Sequence, residues 1–182
     1  MKHNILFILA IFIITGCVAK SGPKNNAEFE SALKLSDLQG TYSNKGDAGD
    51  IDYDIYLSRI IWPNDNEIDH GNIDFVKVMQ LNNSTIIVTA LSDGKAEKEG
   101  QFLLGKDFSF ENGRITINRE GGVAGFKIGE PMLGLYYGNV TLGLDKKGHG
   151  KFRSSGAAVG MVYMVVPLAM EVQEDVRFER IE

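Results

Sequence analysis

From Ile73 to the C-terminus, apolar and polar residues alternate with a period of two, which is typical of strands with one buried and one solvated face. Short runs rich in valine, isoleucine and phenylalanine are predicted as strands: residues 75–81, 85–91, 99–104, 107–110 and 114–119. Asp93-Gly94 and Asn112-Gly113 separate such runs, and these dipeptides favour tight hairpin turns. The pattern therefore predicts sequential antiparallel pairing.

The C-terminal part of the chain continues the strand pattern. Further strands are predicted over residues 133–144, 151–155 and 171–182. The nearly apolar stretch 156–170 is too short to span a membrane, which takes about 20 residues, and is predicted as a strand buried on both faces or a hairpin over the core. The glycine-rich stretch 120–131 lacks the spacing of phosphate-binding loops and is interpreted as a flexible connection or a bulged strand.

Two short helices are predicted before the strands. An amphipathic pattern over residues 27–38 predicts the first, and a similar pattern over residues 55–62, stopped by Pro63, predicts the second. Trp62, the only tryptophan, is interpreted as a core residue rather than a ligand platform. The fold is therefore predicted to be mainly β, an antiparallel β-barrel or β-sandwich with one or two short N-terminal helices.

The N-terminus carries an export signal. Lys2 is followed by an apolar run of about ten residues, the length of a signal-peptide core, and then by Ile14-Thr15-Gly16-Cys17. These four residues resemble the lipobox of bacterial lipoproteins: an aliphatic residue, a small or aliphatic one, Gly or Ala, then Cys. The resemblance implies cleavage before Cys17, an S-diacylglyceryl group on its thiol and acylation of its new amino group.

The same resemblance implies an exported, lipid-anchored protein, because several acyl chains hold a protein firmly on a membrane. Val18 follows the cysteine where an Asp would imply inner-membrane retention, so the periplasmic face of the outer membrane is favoured if the host has two membranes. The chain is divided on this basis into a signal peptide (1–16), a lipidated cysteine with a polar tether (17–36) and a single β-rich domain (37–182).

A second, shorter resemblance lies at the start of the predicted domain. Gly40-Thr41-Tyr42 is similar to the Gly-x-Trp that opens the first strand of lipocalins, although Tyr42 replaces the tryptophan. A first strand with an aromatic residue on its core face explains the same three residues equally well.

The net charge limits the classes of partner that are expected, and the cysteine content limits internal cross-links. The full chain has a formal net charge of −5, and loss of Lys2 with the signal peptide makes the mature chain more acidic. Nucleic acid and anionic lipid head groups are therefore not expected as partners, since both are bound mainly by basic residues. Cys17 is the only cysteine, so the domain has no internal disulfide and its core must stabilise it unaided.

The most acidic loop, residues 64–74, is a candidate interaction loop. Its candidate contact residues are Asp65, Glu67, Asp69 and His70. Alternating carboxylates suit Ca²⁺, but Gly71 falls one position late for an EF-hand loop, so a solvated loop is the interpretation and no metal or cofactor is predicted. His149 is the only other histidine of the mature chain, too few for a zinc site.

No Gly-x-Ser-x-Gly elbow accompanies these histidines, so no catalytic residue is predicted and the protein is not expected to be an enzyme. The sequence predicts an envelope lipoprotein that acts as a membrane-tethered binding or structural module for a small apolar ligand or a partner protein. A periplasmic immunity or inhibitor protein, directed against a toxin or lytic enzyme, is the alternative. A third hypothesis, a hydrolase, requires His70 or His149 to meet a serine and a carboxylate in one cleft.

Overall fold

The computed structural model describes residues 17–31, 33–50, 52–124, 132–162 and 166–181, so residues 14–16 of the lipobox lie outside the described part. The described chain is mainly β, as the alternation predicts. Its strands are β1 (Cys17–Ser21), β2 (Gly40–Ser43), β3 (Phe75–Asn82), β4 (Thr85–Ser92), β5 (Lys95–Leu103), β6 (Ser109–Glu111), β7 (Arg114–Ala124), β8 (Met132–Leu144), β9 (Gly150–Val162) and β10 (Val166–Phe178).

The strands form two sheets. One has four antiparallel strands in the order β2-β3-β4-β5, and the other is a mixed sheet of six strands in the order β1-β10-β9-β8-β7-β6. In the four-stranded sheet, Val76 lies opposite both Tyr42 and Ala90. All three side chains are buried, because alternation places directly opposed residues on the same face of a sheet.

Two hairpin turns use the predicted dipeptides. Asp93 and Gly94 have φ values of 50° and 73°, and Asn112 and Gly113 have φ values of 50° and 74°. Positive φ at both central residues is the mark of a type I′ turn, whose twist matches that of the paired strands. The predicted turns between β4 and β5 and between β6 and β7 are therefore confirmed.

The second predicted helix forms. α1 (Leu57–Ile61) lies inside the predicted range 55–62 and ends before Pro63, since the residue that precedes a proline is disfavoured in the helical region. A short 3-10 turn, His70–Asn72, lies within the acidic loop 64–74. None of the helices in the described residues has both the length and the apolar composition of a membrane-crossing helix.

The first predicted helix, residues 27–38, is wrong. Only Leu35–Leu38 turns, as a 3-10 helix. Phe29 instead forms an antiparallel bridge with Asp145, and the backbone N–H of Glu30 donates to the Leu144 carbonyl at 2.9 Å. These contacts bury Phe29 to 4% exposure, so tertiary packing overrides the local helical pattern.

Residues 22–30, here called the N-terminal strap, pack on the strands rather than extending as a polar tether. Asn26 Nδ2 donates to Asp175 at 2.7 Å, and Lys151 Nζ donates to the Ala27 carbonyl at 2.8 Å. The Lys146 backbone N–H donates to the Glu28 carbonyl at 3.0 Å. The predicted tether over residues 17–36 therefore includes a segment with buried side chains and regular hydrogen bonds.

Several strands are longer than predicted. β7 continues to Ala124, so residues 120–124 of the glycine-rich stretch are strand, while 125–131 lie outside the described residues. β9 joins the predicted polar strand 151–155 to the apolar residues after it, and β10 joins the end of that apolar stretch to the predicted final strand. Residues 156–162 belong to β9 and residues 166–170 to the neighbouring β10, while 163–165 lie outside the described residues.

The chain forms two compact units. The smaller comprises residues 1–20, 119–139 and 154–173, and its described strands are β1 and parts of β7 to β10. The larger comprises residues 21–118, 140–153 and 174–182. It contains the four-stranded sheet, α1 and the strap. The cavity, the acidic loop and the buried ion network described below lie in it, whereas Cys17 lies in the smaller unit.

The core of the larger unit draws apolar side chains from both sheets and from α1. Its most buried members are Val76, Ala90, Val140, Val176 and Phe178, each at most 1% exposed. Burial of this kind contributes about 25 cal/mol per Å² of apolar surface, and it is the main stabilising term in a chain without internal disulfides.

Candidate functional site

A cavity of about 100 Å³ lies inside the larger unit. Its wall is mainly aliphatic and aromatic, with residues from α1 and from eight strands of the two sheets, among them Leu57, Val78, Val88, Phe102, Ile117 and Leu142. Such a wall can offer a guest dispersion contacts but no directional bond. The cavity is therefore suited to hydrocarbon.

The polar groups at the cavity wall are already paired. The Asp107 carboxylate accepts from the Leu103 backbone N–H at 2.8 Å, and Lys151 Nζ lies 3.0 Å from Asp175. The Tyr42 hydroxyl donates to the Leu38 carbonyl at 2.7 Å, and burial raises the pKa of Tyr42 to about 12 against the opposing effect of Arg180. None of these groups is left to orient a polar ligand.

The size of the cavity limits its guest. Small-molecule sites commonly enclose about 300 to 1,000 Å³, whereas an apolar cavity of about 150 Å³ stays dry and admits benzene. At about 100 Å³ the cavity belongs to the second class. It fits a short hydrocarbon segment or a small apolar molecule without rearrangement.

Two carboxylates of the acidic loop, those of Asp65 and Asp69, are bound by other groups of the same chain. Asp65 forms an ion pair with Lys98 at 2.7 Å and accepts the Glu67 backbone N–H at 3.0 Å, and these two contacts lower the pKa of Asp65. Asp69 accepts from the Gly71 backbone N–H at 3.1 Å and from Asn72 Nδ2 at 2.8 Å, which caps the following 3-10 turn. Glu67 and Asp69 are the exposed carboxylates of the set.

His70, the fourth candidate residue, is 5% exposed and thus buried, unlike the exposed Glu67 and Asp69. Its Nδ1 is 2.9 Å from Ser58 Oγ, and its ring also bonds to the backbone of Asp65. Burial, and then the charge of Arg59, lowers the pKa of His70 below its ordinary value of 6.5. In the neutral ring protonated at Nε2, the Ser58 hydroxyl donates to Nδ1.

Asn44, which the sequence did not single out, holds this pair in place. It is fully buried, its Oδ1 accepts from the Ser58 backbone N–H at 2.8 Å, and its Nδ2 donates to the carbonyls of His70 at 2.8 Å and Ile73 at 3.0 Å. Ser58 is itself 0% exposed. The three side chains therefore join α1 to the acidic loop and leave the serine no access to a substrate.

His149 lies elsewhere, at the turn between β8 and β9, where its Nδ1 accepts from the Arg180 backbone N–H at 3.4 Å. Among the described residues, no three His, Cys, Asp or Glu side chains are grouped as a metal ion requires. The arrangement demanded by the hydrolase hypothesis, a histidine with a serine and a carboxylate in one cleft, is found neither at His70 nor at His149.

A buried ion network was also missed by the sequence analysis. Asp175 is 1% exposed and binds Arg153 Nε at 2.6 Å, Arg153 Nη2 at 2.8 Å and Lys151 Nζ at 3.0 Å. Burial raises the pKa of Asp175, but the bonds from Arg153, Asn26 and Lys151 outweigh it and hold the pKa well below its ordinary value. Strand alternation, which places Lys151 and Arg153 on one face, was the available signal.

Phe29 of the strap completes this network. Three cations approach its ring, with Arg114 Cζ 4.8 Å, Arg153 Cζ 5.3 Å and Lys151 Nζ 5.4 Å from the centroid. Cations over an aromatic face are attracted by its quadrupole, more strongly when desolvated. The network therefore fastens the strap to β9 and β10, a structural role.

Cys17, the predicted lipidation site, is the first residue of β1. Tyr42, which carries the lipocalin resemblance, is a core residue of β2. No protein-family model matches the chain, and no curated protein or solved structure is significantly similar to it.

Proposed function

We propose that the chain is an envelope lipoprotein, a membrane-tethered binding module whose larger unit holds a small apolar molecule or a short hydrocarbon segment. The observation that carries this proposal is the cavity, because its wall is apolar and its few polar groups are paired internally. The lipobox at residues 14–17 supports export and lipid attachment. Val18 supports the outer membrane as the destination in a host with two membranes.

We also propose that the larger unit is a β-barrel with two seams. At one seam, β2 meets the chain just after β10: Ser43 N–H donates to the Glu179 carbonyl and Ile181 N–H to the Thr41 carbonyl, each at 2.8 Å. At the other, a parallel bridge joins Leu104 to Phe108 between β5 and β6. A barrel of this kind surrounds its interior, which is where the cavity lies.

Ligand binding is tested by methyl NMR of the protein titrated with benzene. We expect saturable shifts of the Val88, Ile117 and Leu142 methyl signals, since these side chains line the cavity. Ile117→Phe places additional carbon atoms in the cavity and should abolish the shifts. Absence of any methyl shift, or shifts that survive in Ile117→Phe, would refute the binding role.

The matched control is Ile87→Phe. Ile87 lies on β4 next to Val88, and strand alternation directs it to the opposite face of the sheet. The same chemical change there should leave benzene binding intact. Loss of binding in both variants would show that a general perturbation of the fold, not filling of the cavity, is being measured.

Lipid attachment is tested separately, by growing cells with radioactive palmitate. The wild-type protein should be labelled and should fractionate with the membrane, whereas Cys17→Ser should remain an unlabelled precursor. Label that is retained in Cys17→Ser would exclude the lipobox as the anchoring signal.

The alternative, an immunity or inhibitor protein, relied on the acidic loop. Lys98 neutralises Asp65, so a basic cleft would meet the exposed carboxylates of Glu67 and Asp69, of which Asp69 is held by its own turn. This distribution favours the binding module over the inhibitor.

A further inference from the structure

An open depression of about 590 Å³ lies on the surface at the C-terminal end of α1, formed by a single continuous segment. Its lining residues are Ile61, Trp62, Pro63, Asn64, Asp65, Asn66 and Glu67. Neither the cavity nor the buried ion network accounts for this surface. Its volume is within the range of about 300 to 1,000 Å³ that small-molecule sites occupy.

Trp62 provides a rigid aromatic wall. Its ring packs against Phe102 with centroids 6.3 Å apart and planes inclined by 49°. A Cβ at Gly100 would lie 3.1 Å from Trp62 Nε1, so the absence of a side chain at that position makes room for the indole. Trp62 is half-buried and lines the depression, so it is part core residue and part accessible surface.

Asn64 and Asn66 provide the polar wall. Both are exposed, and neither side-chain amide forms a hydrogen bond within the described part of the chain. Each amide offers two donors and one acceptor. They therefore match ligand groups that both donate and accept, such as hydroxyls.

The charges of the depression exclude most charged ligands. Lys98 is paired with Asp65 at 2.7 Å, which neutralises that carboxylate and occupies the nearest ammonium group. An anionic ligand would thus find no unpaired cation among the lining residues. A cationic ligand would find Glu67 as the one uncompensated carboxylate there.

We propose that this depression binds a neutral carbohydrate, with the C–H face of a sugar ring against Trp62 and its hydroxyls on the amides of Asn64 and Asn66. An indole pairs well with a surface that is apolar on one side and polar at its edge, which describes a pyranose ring. The proposal does not depend on the interior cavity, and either can fail without the other.

The single tryptophan of the chain makes the test direct, because its indole is part of the wall of this depression. The full chain is purified in a phosphocholine detergent, which carries no sugar, and applied to an array of hexose, N-acetylhexosamine and uronic acid polymers. The glycan that is best retained is then titrated in solution. We expect a saturable change in Trp62 fluorescence.

Asn64→Ala combined with Asn66→Ala should weaken binding by about tenfold, the effect of losing two modest hydrogen bonds. Asn83→Ala, at an exposed asparagine in the β3–β4 turn, should bind as the wild type does. Circular dichroism verifies that the variants are folded.

The proposal would be overturned by the absence of any retained glycan on the array, by equal affinity in the double variant and the wild type, or by a larger response to tetramethylammonium than to any neutral sugar. The last outcome would assign the depression to cations through Trp62 and Glu67. Retention of only uronic acid polymers would show that charge, not hydroxyl chemistry, governs recognition, and would likewise count against it.

Discussion

Asp175 shows how one residue carries a disproportionate part of the stability. It is buried with Lys151, which is 2% exposed and has Asp175 as its counter-charge, and Asp175 also binds Arg153. Removing one member of such a pair leaves an uncompensated charge in a medium that solvates it poorly. The effect therefore differs from that of the exposed ion pairs of the same protein.

We expect Asp175→Asn to lower the free energy of unfolding by about 3–5 kcal/mol, because Lys151 loses its counter-charge while remaining buried. The control is Asp47→Asn, which breaks an exposed pair with Arg177 at 2.9 Å and should cost less than about 1 kcal/mol. Urea denaturation measures both. Equal losses in the two variants would contradict this account of Asp175.

His70 should make stability depend on pH near neutrality. Its pKa is lowered in the folded state, so below its unfolded value of 6.5 the unfolded chain binds more protons. The stabilisation is complete above pH 6.5 and is lost as pH falls through the folded pKa. Asp175 also has a lowered pKa in the folded state, so its contribution to stability is likewise lost as the pH falls, here below 3.8.

We therefore expect the free energy of unfolding to fall between about pH 7 and pH 5 in the wild type. The fall should be smaller in His70→Gln, which has no titrating ring at that position. Urea denaturation across this pH range gives the comparison. An identical pH dependence in both proteins would mean that His70 does not titrate on unfolding as its burial implies.

At the residue scale, the sequence identified the acidic loop but not its use. The pairing of Asp65 with Lys98 joins residues that are far apart in the chain, and the local sequence pattern does not predict it. The contacts of Asn44 could not be predicted either, because only the fold brings its partners Ser58 and His70 to it. Long-range polar contacts of this kind follow from the tertiary arrangement, not from spacing.

At the element scale, the two type I′ turns offer a comparison. Gly94 and Gly113 have nearly equal φ, 73° and 74°. A Cβ on Gly94 would meet nothing within 4 Å, whereas one on Gly113 would lie 3.1 Å from the Glu30 carbonyl oxygen and from Leu33 Cβ. The same backbone requirement therefore occurs in two different surroundings.

Gly94→Ala should destabilise the protein by about 1–2 kcal/mol, the cost of a left-handed conformation for an alanine. Gly113→Ala should cost about 1 kcal/mol more, because the strap must move to admit the methyl group. Thermal or urea unfolding of both variants tests the difference. A Gly113→Ala variant as stable as Gly94→Ala would show that the strap is loosely packed.

The elements that the sequence predicted best are those decided locally. The Asp-Gly and Asn-Gly turns and the alternating strands β3 and β4 need only neighbouring residues to specify them. Residues 27–38 were predicted wrongly because Phe29 gains more from its bridge to Asp145 than from a short helix. Residues 120–124 extend β7 despite two glycines, which shows that local propensity does not decide strand length there.

At the scale of the whole molecule, the strap shifts the boundary of the folded part. The sequence predicted a domain from residue 37, but Phe29 and Leu35 are buried and Asn26 reaches Asp175. The mainly β class was predictable from periodicity. The way in which the two sheets are joined was not predictable, because it depends on long-range hydrogen bonds such as the one from Ser43 N–H to the Glu179 carbonyl.

A chain that begins at Ser21 should keep the strap, whereas one that begins at Asp37 loses it. We expect the shorter chain to be less stable by at least about 4 kcal/mol, since the burial of Phe29 and several hydrogen bonds are lost together. That is a large share of the 5–15 kcal/mol typical of a folded domain. Urea denaturation of the two chains measures this difference. Equal stability would show that residues 22–30 act as a tether and do not contribute to the folded domain.

The pairing of β1 also governs how far a lipidated form of this protein would extend from its anchor. β1 begins at Cys17 and is hydrogen-bonded to β10 in the six-stranded sheet. A long disordered leash after the cysteine would let the body sample the space above the leaflet. A lipid on Cys17 would instead keep β1 at the membrane surface, so encounters with partners would arise from lateral diffusion in two dimensions rather than from swinging outward.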